Sequence, residues 1–255
     1  DIFVFSEPNL SSVLISGVNA CMQAGKKYTV NLEQDFHQMP ADHPAYNLFG
    51  PGNPRSLQAL EIMLKDAEWV SVSSEVLAEH YRPYAKRIEV VHPTWDRDNP
   101  LWSKPAPVRN TVNIGWIGGS ADRNDLLMIK DEVTRIVREN PETLFVIVGD
   151  TGAYSEFGEI PEFQKLFVPS LNAEDTPYIL SQIDCLIVPL RNIPFNQAKS
   201  YQVVMDAYQK GVPWLASPTP AISAWNKGGE ILDQPEMFYS SLSKAIGMRV
   251  KVNNS

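Results

Sequence analysis

The chain has little of several things, and each shortage excludes a class of protein. Two cysteines in 255 residues, Cys21 and Cys185, cannot build a disulfide framework and stand at no metal-ligand spacing. Both read as small core residues of a protein kept in a reducing compartment. The longest apolar runs, such as Cys185 to Val188, are far too short to span a bilayer. No secretory pattern opens the sequence, so a cytoplasmic location is expected. Positive charge is also short, with 22 Lys and Arg against 30 Asp and Glu for a formal charge of -8. Division at residue 108 leaves -4 on each side, so neither part carries the clustered cations that nucleic acid binding requires. Nothing resembles a zinc site, a nucleophile elbow or a P-loop, and no metal or other cofactor is expected.

What the chain does have is repeated alternation of strand and helix patterns, which points to α/β architecture. Asp1 to Ser6 reads as a buried strand. Leu10, Val13, Leu14, Gly17, Val18 and Cys21 then share a helical face, and Tyr28 to Leu32 is a second strand. Between Glu33 and Asn53 the periodicity fails, and Pro40, Pro44, Pro51 and Gly52 mark a long loop of the kind that is functional or mobile. A helix over 54–66, a strand over 69–72, a short helix from Ser74 and a strand over 87–91 follow. Pro93, Pro100, Pro105 and Pro107 crowd the next stretch, which sets a domain boundary there. The division is 1–108 and 109–255. In the second part, strands at 112–117, 144–148, 166–168, 185–188 and 214–216 alternate with helices to about Asn140, over 174–181 and over 198–210. Such a doubly wound sheet places its ligands beyond the carboxyl ends of its strands.

Two segments can carry chemistry. The turn Gly118, Gly119, Ser120 leads from a strand into a helix with Asp122 and Arg123 in its first turn. Glycines let a backbone approach an anion, free amides at a helix start point at it, and Arg123 supplies charge for a phosphate. Equally, any tight strand-to-helix turn needs glycine, Asp122 can cap the helix, and Arg123 can face water. The second segment runs Pro194, Phe195, Asn196, Gln197, Ala198, Lys199, Ser200 and on through Asp206 to Gly211, Val212, Pro213. On one continuous helix Lys199 and Asp206 share a face, roughly 10 Å apart at about 1.5 Å per residue. A cation there can neutralise a diphosphate while the carboxylate accepts from ribose hydroxyls. The competing reading pairs Asp206 with Lys210 as a surface i,i+4 contact.

The stretch from Pro194 to Ser217, with the strand Asp184 to Pro189 before it, resembles the donor-site segment of GT-B glycosyltransferases of the retaining, glycogen-synthase-like group (glycosyl transferases group 1). The family pattern of an acidic residue, small residues, Gly, any residue and Pro becomes here Asp206 through Gly211, Val212 and Pro213. The run Pro194 to Ser200 is similar to a bacterial and phage subgroup, and Gly115 to Ser120 stands at that group's glycine-containing donor-domain opening. Glu33 to Tyr46 looks like an acidic loop of the acceptor domain. Many members carry two glutamates with seven residues between them. Here the first position holds Ala198 and the second Asp206, one methylene shorter.

The resemblance implies an α/β fold of two Rossmann-like domains facing across a cleft, the first of them short. Residues 1–108 would form the acceptor domain and 109–255 the donor domain. It implies sugar transfer from a nucleotide-diphosphate sugar to a carbohydrate or glycosylated acceptor, with retention and without a metal. Gly118, Gly119, Ser120, Val168, Asn196, Lys199, Ser200 and Asp206 would bind the donor, with backbone near Val168 and Pro169 meeting the base. Lys199 and Arg123 would stabilise the leaving diphosphate. Glu33, Asp35, His37 and His92 are the acceptor-side candidates, against the alternatives of solvated loop residues and satisfied histidines. Trp95, Trp102 and Trp116 can stack on sugars or pack in a core. The rival function is a non-catalytic nucleotide-sugar or carbohydrate-binding module on a degenerate scaffold of the same fold.

Overall fold

The computed structural model describes residues 2–6, 12–170 and 172–253. The chain divides into two compact units. The first is Asp1–Pro93 with Asn192–Ser200 and Thr219–Ala221, and the second is Thr94–Arg191 with Tyr201–Pro218 and Ile222–Ser255. The break in chain contacts therefore falls at Pro93, earlier than residue 108, and two later segments return to the first unit.

The first unit is a parallel sheet in the order β1-β2-β3-β4, with β1 Ile2–Ser6, β2 Lys27–Leu32, β3 Val70–Val72 and β4 Ile88–Val90. Its helices are α1 Ser12–Gln23, α2 Tyr46–Phe49, α3 Pro54–Asp66 and α4 Glu75–Tyr81. Local chemistry sets their starts. Asn53 caps α3 by accepting from Ser56 N, with Pro54 pre-set at the first helical position, and Ser74 caps α4 by accepting from Leu77 N. Val30, Leu32, Leu60, Leu64, Val70, Val72 and Leu77 close the core, with Cys21 at its margin.

Two expectations need correction here. The strand at the start of the chain is not buried: β1 pairs with β2 at the sheet edge, and Ile2, Phe3 and Val4 are exposed. The apolar run was a sound sign of a strand but not of its position in the sheet. The long segment after β2 is also more ordered than its prolines suggest. Asp35 caps a 3-10 turn over Phe36–Gln38, burying Phe36 and Met39, and α2 follows. In α1, Val18 and Cys21 face the core as the periodicity predicts; Leu10 and the side chains of Val13 and Leu14 lie outside the described residues.

The second unit is a six-stranded parallel sheet in the order β10-β9-β8-β5-β6-β7. The strands are β5 Val112–Gly118, β6 Thr143–Gly149, β7 Lys165–Pro169, β8 Cys185–Val188, β9 Trp214–Ala216 and β10 Gly229–Ile231. The helices are α5 Arg123–Leu126, α6 Lys130–Glu139, α7 Thr151–Glu156, α8 Thr176–Leu180, α9 Pro194–Gln197, α10 Gln202–Lys210, α11 Pro220–Trp225 and α12 Met237–Asn253. Of these, α9 and the first two residues of α11 belong to the segments that group with the first unit. Continuous apolar runs such as Cys185–Val188, buried at every position, are what a sheet covered on both faces demands. One core cluster, including Ile114, Phe145 and Phe238, packs apart from a second that includes Val146, Leu186 and Trp214.

The helix expected to run unbroken to Asn140 is in fact two helices joined by a 3-10 turn over Leu127–Ile129. Leu126 and Ile129, three apart, both reach the core through that turn, as a threefold helix allows.

Candidate functional site

All strands of the second sheet run the same way, so their carboxyl ends share one edge. From β5 the chain winds outward through β6 and β7, then crosses to β8 on the other side and continues to β9 and β10. The place where winding reverses, between β5 and β8, is where such sheets leave room for a ligand. A cavity of about 270 Å³ opens on this edge. It is lined by Ile117, Gly118 and Gly119 from the end of β5, Val148 from β6, Ser170 and Asn172 after β7, and Thr176 and Ile179 of α8.

The β5 turn shows which of its expected properties are already spent. Gly118 lacks a side chain because a Cβ there would run into the indole of Trp116, which is itself buried in the core rather than set to stack on a sugar. Gly119 is exposed, and a Cβ there would meet nothing closer than Asp122 Oδ2 at 3.9 Å. Its N–H donates to that same Asp122 carboxylate at 2.9 Å, so the turn is closed by its own side chain. Ser120 is exposed. Arg123 donates from Nε to Asp150 Oδ2 at 2.7 Å and from Nη2 to Oδ1 at 3.0 Å. Asp150 also caps α7, and the guanidinium, helped by the N–H groups of Ala153 and Gly152, holds its carboxyl below the usual carboxylate range. The Arg123 charge is thus balanced before any phosphate arrives.

The segment after β8 departs most from expectation. Lys199 and Asp206 do not lie on one helix: α9 ends at Gln197, Lys199 and Ser200 are non-helical, and α10 begins at Gln202. Two anchors explain the break. Phe195 and Ala198 pack into the core of the first unit, whereas Val204 and Ala207 pack into the second. Ser74 Oγ, the cap of α4, donates to the Ala198 carbonyl at 2.6 Å and fixes the turn. Ala198 is fully buried, so the side chain at the position where many glycogen-synthase-like enzymes have glutamate points into a core. Asn196 is buried too, and Lys199 Nζ lies 5.7 Å over the Phe195 ring.

Asp206 is half-buried on α10. Burial pushes its pKa up to about 6, although Gln202 Nε2, donating to Oδ1 at 2.7 Å, offsets part of that rise. It does not pair with Lys210, whose ammonium instead donates to the carbonyls of Leu101 at 2.5 Å and Lys104 at 2.6 Å. The competing i,i+4 reading is therefore not what the fold adopts. Gly211, in the left-handed conformation at φ 76°, ends α10.

On the first unit, Asp35 is fully buried and accepts from His37 N and Gln38 N at 3.1 and 3.2 Å and from His80 Nδ1. It is a capping residue and cannot reach an acceptor. His37 Nε2 lies 3.1 Å from Glu61 Oε1, and its ring stacks on Tyr84 at 4.9 Å, so it too is held by its neighbours. Glu33 and His92 are exposed, with Asn31 Nδ2 donating to Glu33 at 3.3 Å. Trp102 packs against a core cluster of the second unit, and Trp95 lies under Arg97 at 5.1 Å.

Sequence reasoning missed the residues that shape the carboxyl edge of the second unit. Ser170, Asn172 and Thr176 line the cavity; the Thr176-Pro177 start of α8, directly beyond a strand, was the available signal. It also missed Asp125, buried on α5, which accepts from both Nε and backbone N of Arg191 after β8. Sixty-six residues separate that pair, and nothing in local spacing announces it. Val168, expected near the base, pairs with Val148 and packs its side chain on the core.

No protein-family model and no curated protein matches the sequence. Solved structures do. Anabaena Alr3699/HepE, in complex with UDP and glucose, superposes on 99% of this chain at TM-score 0.68 and 14% identity, with 70% of its own chain covered. Sucrose-phosphate synthase from Thermosynechococcus elongatus gives 99%, 0.61 and 15%, with 65% of its chain covered. WaaG, a glycosyltransferase involved in lipopolysaccharide biosynthesis, gives 96%, 0.55 and 13%, with 90% covered. This chain thus spans about two thirds of the length of the first two. The likeness is one of fold: with its two parallel Rossmann-like sheets, the chain has the GT-B fold.

Proposed function

We propose that the chain is a glycosyltransferase whose second unit holds a nucleotide-diphosphate sugar at the carboxyl edge of its sheet. The observation that carries this reading is the cavity at Gly118, Gly119 and Thr176, beside the winding reversal, on a fold that solved glycosyltransferases share. The base enters that cavity, near the backbone after β7. Asp206 accepts from the ribose hydroxyls; a carboxylate whose burial disfavours its charge gains from two such donors. Within the second unit the turn at Gly119 and Ser120 meets the diphosphate; Lys199 and Ser200, on the stretch leading into α10, are the donor contacts that the family resemblance implies. Departure of the nucleoside diphosphate builds negative charge, which a positioned ammonium stabilises without a metal. The acceptor belongs to the first unit, where Glu33 and His92 are the exposed members of the expected set. Retention at the anomeric carbon, with the acceptor deprotonated on the leaving-group face, is the stereochemistry this reading adopts.

Thermal-shift screening against UDP, GDP, dTDP, ADP and CMP and their sugars, followed by a donor-hydrolysis assay on any hit, tests the proposal. Stabilisation by at least one nucleotide with slow hydrolysis of its sugar is expected. Stabilisation without hydrolysis or transfer would favour the non-catalytic binder, for which the comparisons give no separate support. In Lys199→Ala the fold should survive while donor affinity and turnover fall together, roughly tenfold or more for a lost charge-assisted contact. Unchanged turnover in that variant would remove Lys199 from the site.

A further inference from the structure

Three polar side chains line the cavity at the carboxyl edge of the second sheet: Ser170 and Asn172 in the loop after β7, and Thr176 at the start of α8. The other side chains that line it, Ile117, Val148 and Ile179, are aliphatic, and no charged side chain takes part. Its volume of about 270 Å³ falls below the roughly 300–1000 Å³ of a site that encloses a whole small molecule, so it suits one part of the donor. Aliphatic walls with a few neutral polar groups suit the base and not the diphosphate.

The floor is set by strand register. Gly118, Gly149 and Pro169 stand side by side at the ends of β5, β6 and β7. Gly149 has φ 101°, and a Cβ there would lie 2.4 Å from the Gly118 carbonyl oxygen and 3.4 Å from Ser170 Oγ. A glycine at the end of β6 therefore lets the loops after β5 and β7 close on the cavity from both sides.

The three polar groups differ from their neighbours in that the fold does not use them. Asp122 closes the glycine turn, Arg123 and Asp150 hold each other, and Arg191 is held by Asp125. Asn172 stands at the cap of the 3-10 turn Ala173–Asp175 with extended backbone, φ -66° and ψ 155°, from where an asparagine ordinarily accepts from the N–H groups of the turn. It makes no such bond, and the turn closes instead through Asp175 N, which donates to the Asn172 backbone carbonyl at 2.9 Å. Among the described residues the side chains of Ser170, Asn172 and Thr176 have no hydrogen-bond partner. A free amide offers a donor and an acceptor side by side, the pattern that meets the edge of a base.

We infer that Asn172, with Ser170 near it in the same loop, reads the hydrogen-bonding edge of the base and so sets which nucleotide the donor carries. The inference rests on the donor-site reading above and adds to it the residue on which base selectivity depends.

The test uses two pairs of diphosphates whose members carry either a carbonyl or an amino group on the base edge, UDP with CDP and IDP with ADP. Calorimetric titration of the whole chain gives the affinity ratio within each pair. Asn172→Asp keeps the shape of the side chain but leaves acceptors only. It should move the ratio toward the amino-bearing member by roughly tenfold in the pair that the unaltered chain binds better. Repulsion between the new carboxylate and the diphosphate acts on both members alike and cancels from the ratio. Asn172→Ala should weaken a diphosphate and its nucleoside equally, by a few-fold, as the loss of a base contact does, and Ser170→Ala should do so less. Asn172 is exposed, so the melting temperature should not change in any of these variants. A ratio in Asn172→Asp within about twofold of that in the unaltered chain would overturn the inference and leave the donor site standing. Where the new charge abolishes binding, Asn172→Ala decides, and unchanged affinity in it would overturn the inference equally. If the unaltered chain binds no nucleoside diphosphate, GDP and dTDP included, the donor-site reading fails and takes the inference with it.

Discussion

Both units set acidic and basic side chains in the loops beyond the carboxyl ends of a parallel sheet, yet the two loop sets spend those charges differently. In the first unit Asp35 is consumed by the 3-10 turn that it caps and by His80, and His37 is consumed by Glu61 and Tyr84. In the second unit the pairs Arg123–Asp150 and Arg191–Asp125 tie neighbouring loops together, a cavity lies beside them, and among the described residues Asp206 has an amide partner but no cation. The lesson is that a polar residue past a strand end is a site candidate only until its partner is known. Burial with a full set of partners marks structure. Partial burial with an unbalanced charge marks a place that a ligand can improve.

The difference between the units can be broken from the first side. Asp35→Ala removes the acceptor of two backbone N–H groups and a histidine from a fully buried position, so it should cost about 3–4 kcal/mol in urea unfolding with nucleotide affinity unchanged in whatever fraction remains folded. A large fall in affinity at preserved stability would return Asp35 to the site. Next in size is Ala198→Glu, which places a carboxylate in the first unit's core at the position where many glycogen-synthase-like enzymes have glutamate. The change should destabilise by about 2–3 kcal/mol and bring no gain in turnover; such a gain would show that the turn at Ala198 can open.

On the second side the sign reverses. The pKa of Asp206 in the folded chain, about 6, lies above its ordinary value of 3.8. Its stabilising contribution is therefore full below about pH 4 and is lost as the pH rises through 6. Asp206→Asn should accordingly raise stability at pH 7 by roughly 1–2 kcal/mol, a gain that disappears at pH 4. The same variant should weaken donor binding and abolish the fall in donor affinity expected as the unaltered chain is acidified through pH 6. A loss of stability at pH 7 would mean that Asp206 serves the fold. The smallest effect is expected from Arg123→Gln, about 1 kcal/mol because the pair is about a third exposed on the arginine side, with diphosphate affinity within twofold. A tenfold loss of affinity would restore Arg123 as the phosphate's cation.

How much of this was legible beforehand follows from the range of each signal. Strands such as Cys185–Val188 and the end of α10 at Gly211 are written locally, in apolar runs and in a residue that tolerates positive φ, and both stand where the sequence places them. The glycine turn was found for the same reason. The break at Lys199 was not visible, because a helical pattern records which residues are apolar but not that Phe195 and Val204 serve different cores. Arg191 and Asp125 were invisible for a related reason, since their meeting is set by the order of β5 and β8 and not by any spacing along the chain. The exposed edge position of β1 is likewise a property of the sheet, not of the run Ile2–Ser6.

The central claim, that the carboxyl edge of the second sheet holds the donor, is tested most directly by filling its cavity. Thr176→Phe places a ring at the lining of the 270 Å³ space without touching Lys199 or Asp206. Calorimetric titration of this variant and of the unaltered chain with UDP, GDP, dTDP and ADP should show at least one diphosphate binding the unaltered chain and at least tenfold weaker binding after substitution, with the melting temperature preserved. Equal affinity in the two proteins, or no binding by either, would contradict the account.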